Sequence, residues 1–267
     1  IQLMKVLVLS GYGINCEDET LNAFKTAGIK GSIIHVNDLI EIPSKINNYQ
    51  ILAIPGGFSY GDHTGSGNAM AHKIKNNLFD FIVNFIEKDK LLIGICNGCQ
   101  ILVNLGIVPA SEGYKREIAL VENDNSTYEC RWVHLKVTNK NSPWLKKISY
   151  LHLPVAHQEG KFLADKSTIY RLKRKNLIAC KYVMNNGTSA SKKYPYNPNG
   201  SIEDIAAITN VKGNVLAIMP HPERALYFFQ KPDWIYQTRN IRYTKVNKKY
   251  GYAGGYKIFL NAYNYFK

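Results

Sequence analysis

Apolar residues in the first third of the chain follow two alternating spacings. Near-continuous runs of strand length fall at residues 5–10, 31–36, 49–54 and 91–95. Between them apolar positions recur every third or fourth residue, which predicts helices over 16–27 and 68–88. The first helix opens with Glu17, Asp18 and Glu19, where the helix dipole favours negative charge; the second carries Ile74, Leu78, Ile82 and Phe85 on one face. After Gln100 the pattern is again amphipathic through Ile101, Leu102 and Leu105. Buried strands alternating with helices predict an α/β class with a doubly wound, mostly parallel sheet. In such sheets active sites lie at the carboxyl ends of strands.

The pattern then changes. Short strand-like runs at 118–121, 130–137, 151–155, 168–172 and 178–183 follow one another with no helical spacing between them. They predict an added antiparallel strand region that extends the sheet or lies on it. Loop chemistry at 195–199 precedes two more runs, 205–209 and 215–219, paired across the turn Lys212-Gly213-Asn214, and a helix over 256–265 closes the chain. With no internal repeat and no low-complexity linker, residues 1–267 are expected to form a single domain.

Composition narrows the picture only a little. The 267 residues are 45% hydrophobic and 20% charged, enough to bury a large core. The apolar runs are too short to cross a bilayer, and the first is followed at once by Ser10-Gly11-Tyr12-Gly13, unlike a secretory signal. Five cysteines, an odd number, suit a reducing compartment, so cytoplasm is the expected location. Lys and Arg total 34 against 20 Asp and Glu, a net charge of +14. These cations are spread along a chain also rich in Asn, Ile and Tyr, which reads as solvated lysine faces. Neither nucleic acid nor membrane is therefore an expected partner.

Three stretches at strand ends carry candidate chemistry. In Leu91-Leu92-Ile93-Gly94-Ile95-Cys96-Asn97-Gly98-Cys99-Gln100 a buried strand meets a helix at a sharp turn, and the thiol of Cys96 sits at that turn between small residues. The N–H groups of the helix beginning after Cys96 favour thiolate over thiol. Cys96-x-x-Cys99 also admits a redox dithiol or half of a zinc site. No second ligand pair exists among Cys16, Cys130 and Cys180, so no metal is expected. Pro55-Gly56-Gly57 offers bare backbone N–H groups, and Pro220-His221-Pro222-Glu223 sets an imidazole beside a carboxylate on stiff backbone. Singly, each is more often a turn, a cap or core packing. Together they supply a nucleophile in Cys96, a base in His221 and an orienting carboxylate in Glu223. The N–H groups of Gly57 and Asn97 complete the set as an oxyanion hole. That combination predicts acyl transfer.

Gly94–Gln100 taken with His221-Pro222-Glu223 resembles the class I, or triad, glutamine amidotransferases. Four strings resemble, within that family, the glutaminases of phosphoribosylformylglycinamidine synthases. They are Pro55-Gly56-Gly57-Phe58-Ser59-Tyr60-Gly61-Asp62, residues 94–100, Asn197-Pro198-Asn199-Gly200-Ser201 and Met219-Pro220-His221-Pro222-Glu223-Arg224. The resemblance implies a flavodoxin-like core and a Cys96–His221–Glu223 triad that hydrolyses glutamine through a γ-glutamyl thioester. Gly56, Phe58, Gln100 and His157 are then expected to contact the substrate. It further implies a synthetase partner, with or without a small third subunit, that receives the ammonia in de novo purine synthesis. ATP and magnesium belong to that partner, and no cofactor to this chain. Gln158, Cys99, the string 63–67 and an excursion over 227–252 depart from the short stand-alone pattern and look nearer to longer glutaminase domains. A glutaminase for another synthetase, a γ-glutamyl hydrolase, a catalytically silent scaffold, and the related cysteine-elbow chaperone and protease-like proteins are the competing readings. The last lack the Gln100 and His-Pro-Glu combination.

Overall fold

A computed structural model describes residues 4–239 and 251–267. The first half alternates as the apolar pattern predicts. Strand β1 (Lys5–Ser10) leads to α1 (Glu17–Thr26), β2 (Lys30–His35), α2 (Val36–Glu41) and β3 (Ile51–Ile54). Then come α3 (Asn68–Asn77), α4 (Phe79–Glu87), β4 (Leu91–Ile95) and α5 (Asn97–Leu105). Strands β3 and β4 are buried at every position, as a sheet covered on both faces requires.

The expected single helix over 68–88 is two helices. Leu78 breaks it with φ −128° and ψ −4°. Asn76 and Asn77 just before it are weak helix formers, and the Asn77 side chain bonds back to the Lys73 carbonyl. Apolar spacing continues across the break because Ile74, Leu78 and Ile82 all face the core.

The second half holds β5 (Ala119–Val121), β6 (Glu129–Val137), β7 (Tyr150–His157), β8 (Lys161–Leu163), α6 (Lys166–Arg174) and β9 (Ile178–Val183). Strands β10 (Ile205–Thr209) and β11 (Val215–Ile218), then α7 (Trp234–Thr238) and α8 (Tyr256–Tyr265), complete it. The run 168–172, expected as a strand, lies inside α6, so this region does contain a helix. The Asp165 carboxylate caps the Thr168 N–H at 2.6 Å, Ile169 and Leu172 share the buried face, and Arg171, Lys173 and Arg174 sit in the last turn. Of the expected excursion over 227–252, residues 240–250 lie outside the described residues, while Tyr227 and Tyr252 form a bridge at its base.

Nine strands make one sheet in the order β2-β1-β3-β4-β11-β10-β9-β6-β7, and β5 pairs with β8 in a separate ribbon. Pairings from β2 to β11 are parallel, and those from β11 to β7 antiparallel. The antiparallel strands thus extend the sheet, and the β5–β8 ribbon stands apart from it. Among the described residues no helix is long and apolar enough to cross a membrane.

Candidate active site

Strands β3, β4 and β11 are neighbours with Ile54 opposite Gly94 and Ile95 opposite Ile218, so their carboxyl ends are level. The three candidate stretches therefore start side by side. Cys96, between β4 and α5, adopts φ 51° and ψ −106°, a strained conformation for a residue with a side chain. Two glycines permit it. A Cβ on Gly98 would overlap the Ile54 carbonyl oxygen, and one on Gly94 would stand 2.5 Å from the Gly98 oxygen. The turn presses α5 against β3 so closely that only hydrogens fit.

Cys96 is 4% exposed, with Sγ 3.5 Å from the Ala156 carbonyl. His221 and Glu223 are buried, and His221 Nδ1 lies 2.5 Å from Glu223 Oε1. That contact leaves Nε2 as the ring atom without a partner. Burial by itself would lower the His221 pKa; the charge of Glu223 and the sulfur of Cys96 reverse this and raise it to about 10. The arrangement can thus keep a proton on His221 through the neutral range beside a nucleophilic sulfur.

Gly57 lines the pocket above Cys96 with φ 152°, and a Cβ there would run into the Gly13 carbonyl. Gly56 is not among the lining residues; a Cβ on it would lie 2.9 Å from His221 Cε1, 3.1 Å from Cys16 Sγ and 3.5 Å from Cys96 Cβ. It is the gap through which these three side chains approach. Asn97 opens α5, so its N–H has no intrahelical acceptor. Its side chain accepts from the Ser59 N–H at 3.2 Å and donates to Gln100 Oε1 at 2.9 Å. Gln100 in turn donates to the Glu159 carbonyl at 2.6 Å.

The pocket holds about 270 Å³ and is lined by Cys96, Gln100, Phe58, Tyr128 and His157, among others. Phe58 is 44% exposed, and its ring lies 6.2 Å from that of Tyr128. His157 is buried, its pKa lowered to about 3 by burial and then by His221, so it is neutral. A hollow of about 500 Å³ beside Lys5 and Lys30 lies at the opposite, amino end of the strands and is remote from this chemistry.

Sequence reasoning passed over several of these groups. Asp62, Glu159 and Tyr128 line the pocket, and Cys16 stands against the back of the triad. Asp62 ends a string already noted for its resemblance, and Glu159 stands two residues after His157. Cys16 follows β1, whose carboxyl end belongs to the same edge; that was its one available signal. Among the described residues, Cys16, His221 and Glu223 are the one set of metal-type donors close together, all within 4.8 Å. The Arg224 guanidinium already lies 2.9 Å from Cys16 Sγ and 3.9 Å from Glu223 Oε1, so a cation would have to displace a fixed positive charge. Burial first, then Glu223, pushes the Cys16 thiol up to about 12, which keeps it protonated. Cys99 is wholly buried outside the pocket lining, and its thiol is likewise raised by burial. All five cysteines are free thiols.

The sequence matches the model of the CobB/CobQ-like glutamine amidotransferase domain over residues 3–266. It is 46% identical over 264 residues to a Methanococcus maripaludis protein named phosphoribosylformylglycinamidine synthase subunit PurQ, covering 98% of both chains. It is also 32% identical to the phosphoribosylformylglycinamidine synthase of Drosophila melanogaster, covering 98% of this chain and 20% of that one. Among solved structures it superimposes on a chain of PurLQS from Thermotoga maritima with TM-score 0.71, 28% identity and 99% coverage of each.

Proposed function

The chain belongs to the glutamine amidotransferases, and from that membership we propose how its site works and what it serves. It is the glutaminase component of phosphoribosylformylglycinamidine synthase, acting in purine biosynthesis. Cys96 Sγ attacks the γ-carboxamide carbon of glutamine, and the N–H groups of Gly57 and Asn97 take up the oxyanion. His221 then gives its proton to the departing nitrogen, the C–N bond breaks, and ammonia leaves behind a γ-glutamyl thioester. Water then attacks that thioester with the now neutral His221 taking its proton, the C–S bond breaks, and glutamate leaves with the Cys96 thiolate and His221 imidazolium restored. Glu223 holds Nδ1 throughout, so that Nε2 is the nitrogen that exchanges protons. Phe58, Gln100 and His157 shape the pocket, and Gly56 lets the triad close up.

One observation carries this reading: the level ends of three adjacent strands bring a strained, buried cysteine and a histidine bonded to a buried carboxylate to one side of a pocket of amino-acid size.

Ammonia released to water becomes ammonium and is lost as a nucleophile. The product therefore calls for a partner that consumes it at once; we take that partner to be an ATP- and magnesium-dependent synthetase, with or without a small third subunit, in an assembly of the kind the PurLQS of Thermotoga maritima represents. We take the chain as a single cytoplasmic domain needing no cofactor of its own. The test is mass spectrometry after incubation with a diazo-ketone glutamine analogue, with and without a synthetase. One adduct on Cys96, absent from Cys96→Ala, is expected. A wild type that stays unlabelled even with its partner would leave a silent scaffold as the better account.

A further inference from the structure

Outside the pocket, the carboxylate of Glu223 meets a second cation. Its side chain is fully buried, and its two oxygens are placed differently. Oε1 lies 2.5 Å from His221 Nδ1, whereas Oε2 has no hydrogen-bond partner. The Arg224 guanidinium, which takes no part in the pocket lining, comes within 3.9 Å of Oε1 through Nε. A carboxylate taken out of water needs compensating charge close by. His221 and Arg224 are the two basic groups that reach it among the described residues.

Arg224 is held there by the start of α1 and the loop before it. Its Nη2 donates to Cys16 Sγ at 2.9 Å, and its Nε faces Glu19 Oε1 at 3.6 Å. The Cys16 thiol itself donates to Asn15 Oδ1 at 3.3 Å, and the Cys16 N–H donates to the Gly56 carbonyl at 3.2 Å, which fixes the sulfur in place. Burial first, then Glu223, pushes this thiol up to about 12, so the sulfur is a neutral acceptor. A neutral acceptor is what the position demands. An anion there would draw the guanidinium off Glu223, and an apolar side chain would leave a half-buried N–H unpaired. Arginine suits the other end of the contact because it keeps its charge at every working pH.

The charges facing His221 change during the reaction. Glu223 and the Cys96 sulfur both favour its protonated form, while His157 is neutral. Once the thioester has formed, the sulfur no longer carries charge, and Glu223 is the anion that remains. A carboxylate with no other counter-charge would then hold the proton on His221 and leave no base for water. Resting on the reading of Cys96 as a glutaminase nucleophile, we infer that Arg224 is a positioning residue of this reaction. Anchored on Cys16 and Glu19, it gives Glu223 a permanent counter-charge, so that His221 can release its proton and stay neutral while water attacks the thioester. Arg224 acts through Glu223 and touches neither glutamine nor the sulfur of Cys96.

The experiment follows glutamine hydrolysis against pH on the complex with the synthetase, for wild type, Arg224→Gln and Arg224→Lys. Loss of the charge in Arg224→Gln should move the acidic limb of the kcat profile up by about one pH unit, the low end of what one neighbouring charge does. At any pH on that limb kcat should then fall about tenfold, with KM within about threefold. Arg224→Lys keeps the charge and should bring the limb back to its wild-type position. A limb that stays in place while kcat drops at every pH means a merely structural role and overturns the inference. So does a lysine variant that fails to restore the limb. If Arg224→Gln does not fold, Cys16→Ala decides, since it removes the acceptor that holds the guanidinium; its limb should move the same way by about half as much, and an unmoved limb overturns the inference. A wild type without glutamine turnover would sink the glutaminase reading itself, a result distinct from normal turnover with an unshifted limb in the variants.

Discussion

The parallel and antiparallel halves of the sheet contribute to the site in different ways. The parallel half delivers the reacting atoms from strand ends, where backbone geometry is set by buried strands and close-packed glycines. The antiparallel half delivers the wall that faces the Phe58–Asp62 loop across the pocket lining. Its strand β7 is last in the sheet order, yet the Pro154 carbonyl accepts from the His221 N–H at 2.8 Å and the Ala156 carbonyl faces Cys96 Sγ. His157 ends this strand and Glu159 stands two residues beyond. The chemistry is fixed by short-range rules of one βα turn and one strand end, whereas the recognition surface depends on a far edge coming back across the site. Substitutions at the parallel strand ends that carry Cys96, His221 and Glu223 should therefore strike kcat or folding, and those in the wall that follows β7 should strike KM.

The largest effect is expected from Glu223→Gln. The amide removes the charge that raises His221 most and no longer fixes its tautomer, so kcat should fall on the order of 10²–10⁴-fold, as for loss of a positioned acid–base partner. Stability shows the same change through pH. A histidine whose folded pKa is about 10 and whose unfolded pKa is about 6.5 contributes fully below 6.5, and that contribution is lost as pH rises through 10. Urea midpoints at pH 6, 8 and 10 should show this loss in wild type, and in Glu223→Gln at a lower pH and to a smaller extent. Identical profiles would mean that Glu223 does not set the charge of His221.

Next comes Gly98→Ala, which probes the packing beneath the elbow. The added methyl meets the Ile54 carbonyl, so α5 must lift from β3. A loss of about 3 kcal/mol, at the upper end of overpacking costs, is expected in urea unfolding, together with lost alkylation of Cys96. A stable Gly98→Ala with a reactive Cys96 would show that the close approach is not what holds the turn.

The same division explains what the sequence discloses. In the parallel half, buried runs and helical spacing are local signals, and Gly94, Cys96, Gly98, His221 and Glu223 announce themselves through residue types that the turn and the triad demand. Even there the break at Leu78 is hidden, because the core takes Ile74, Leu78 and Ile82 alike on either side of it. In the antiparallel half, Thr168-Ile169-Tyr170-Arg171-Leu172 mixes β-branched and aromatic residues and reads as a strand; the capping carboxylate of Asp165 decides for a helix. The pocket wall is less legible still. Nothing local ties Glu159 to Ser66, or Pro154 to His221, since those contacts arise only once the sheet has brought its last strand back over its centre.

The smallest effect tests that return directly. Asn123, buried beside the pocket wall, donates to the His157 carbonyl at 2.9 Å and accepts from the Gly160 N–H at 3.1 Å, clamping the loop that carries Glu159 at both ends. Its own N–H also donates to the Gln158 carbonyl, a backbone bond that survives a change of side chain. Asn123→Ala thus frees the loop ends without detaching the loop. Losing one or two net hydrogen bonds costs about 1–2 kcal/mol. Because this falls on the wall and not on Cys96 or His221, it should appear as a KM for glutamine raised about 5–30-fold, with kcat within about threefold. The alkylation rate of Cys96 by a small electrophile such as iodoacetamide, which needs no wall, should be unchanged. If kcat falls instead while KM holds, the Ala156–His157 segment positions the sulfur as well as the substrate, and the division between a half that reacts and a half that recognises gives way.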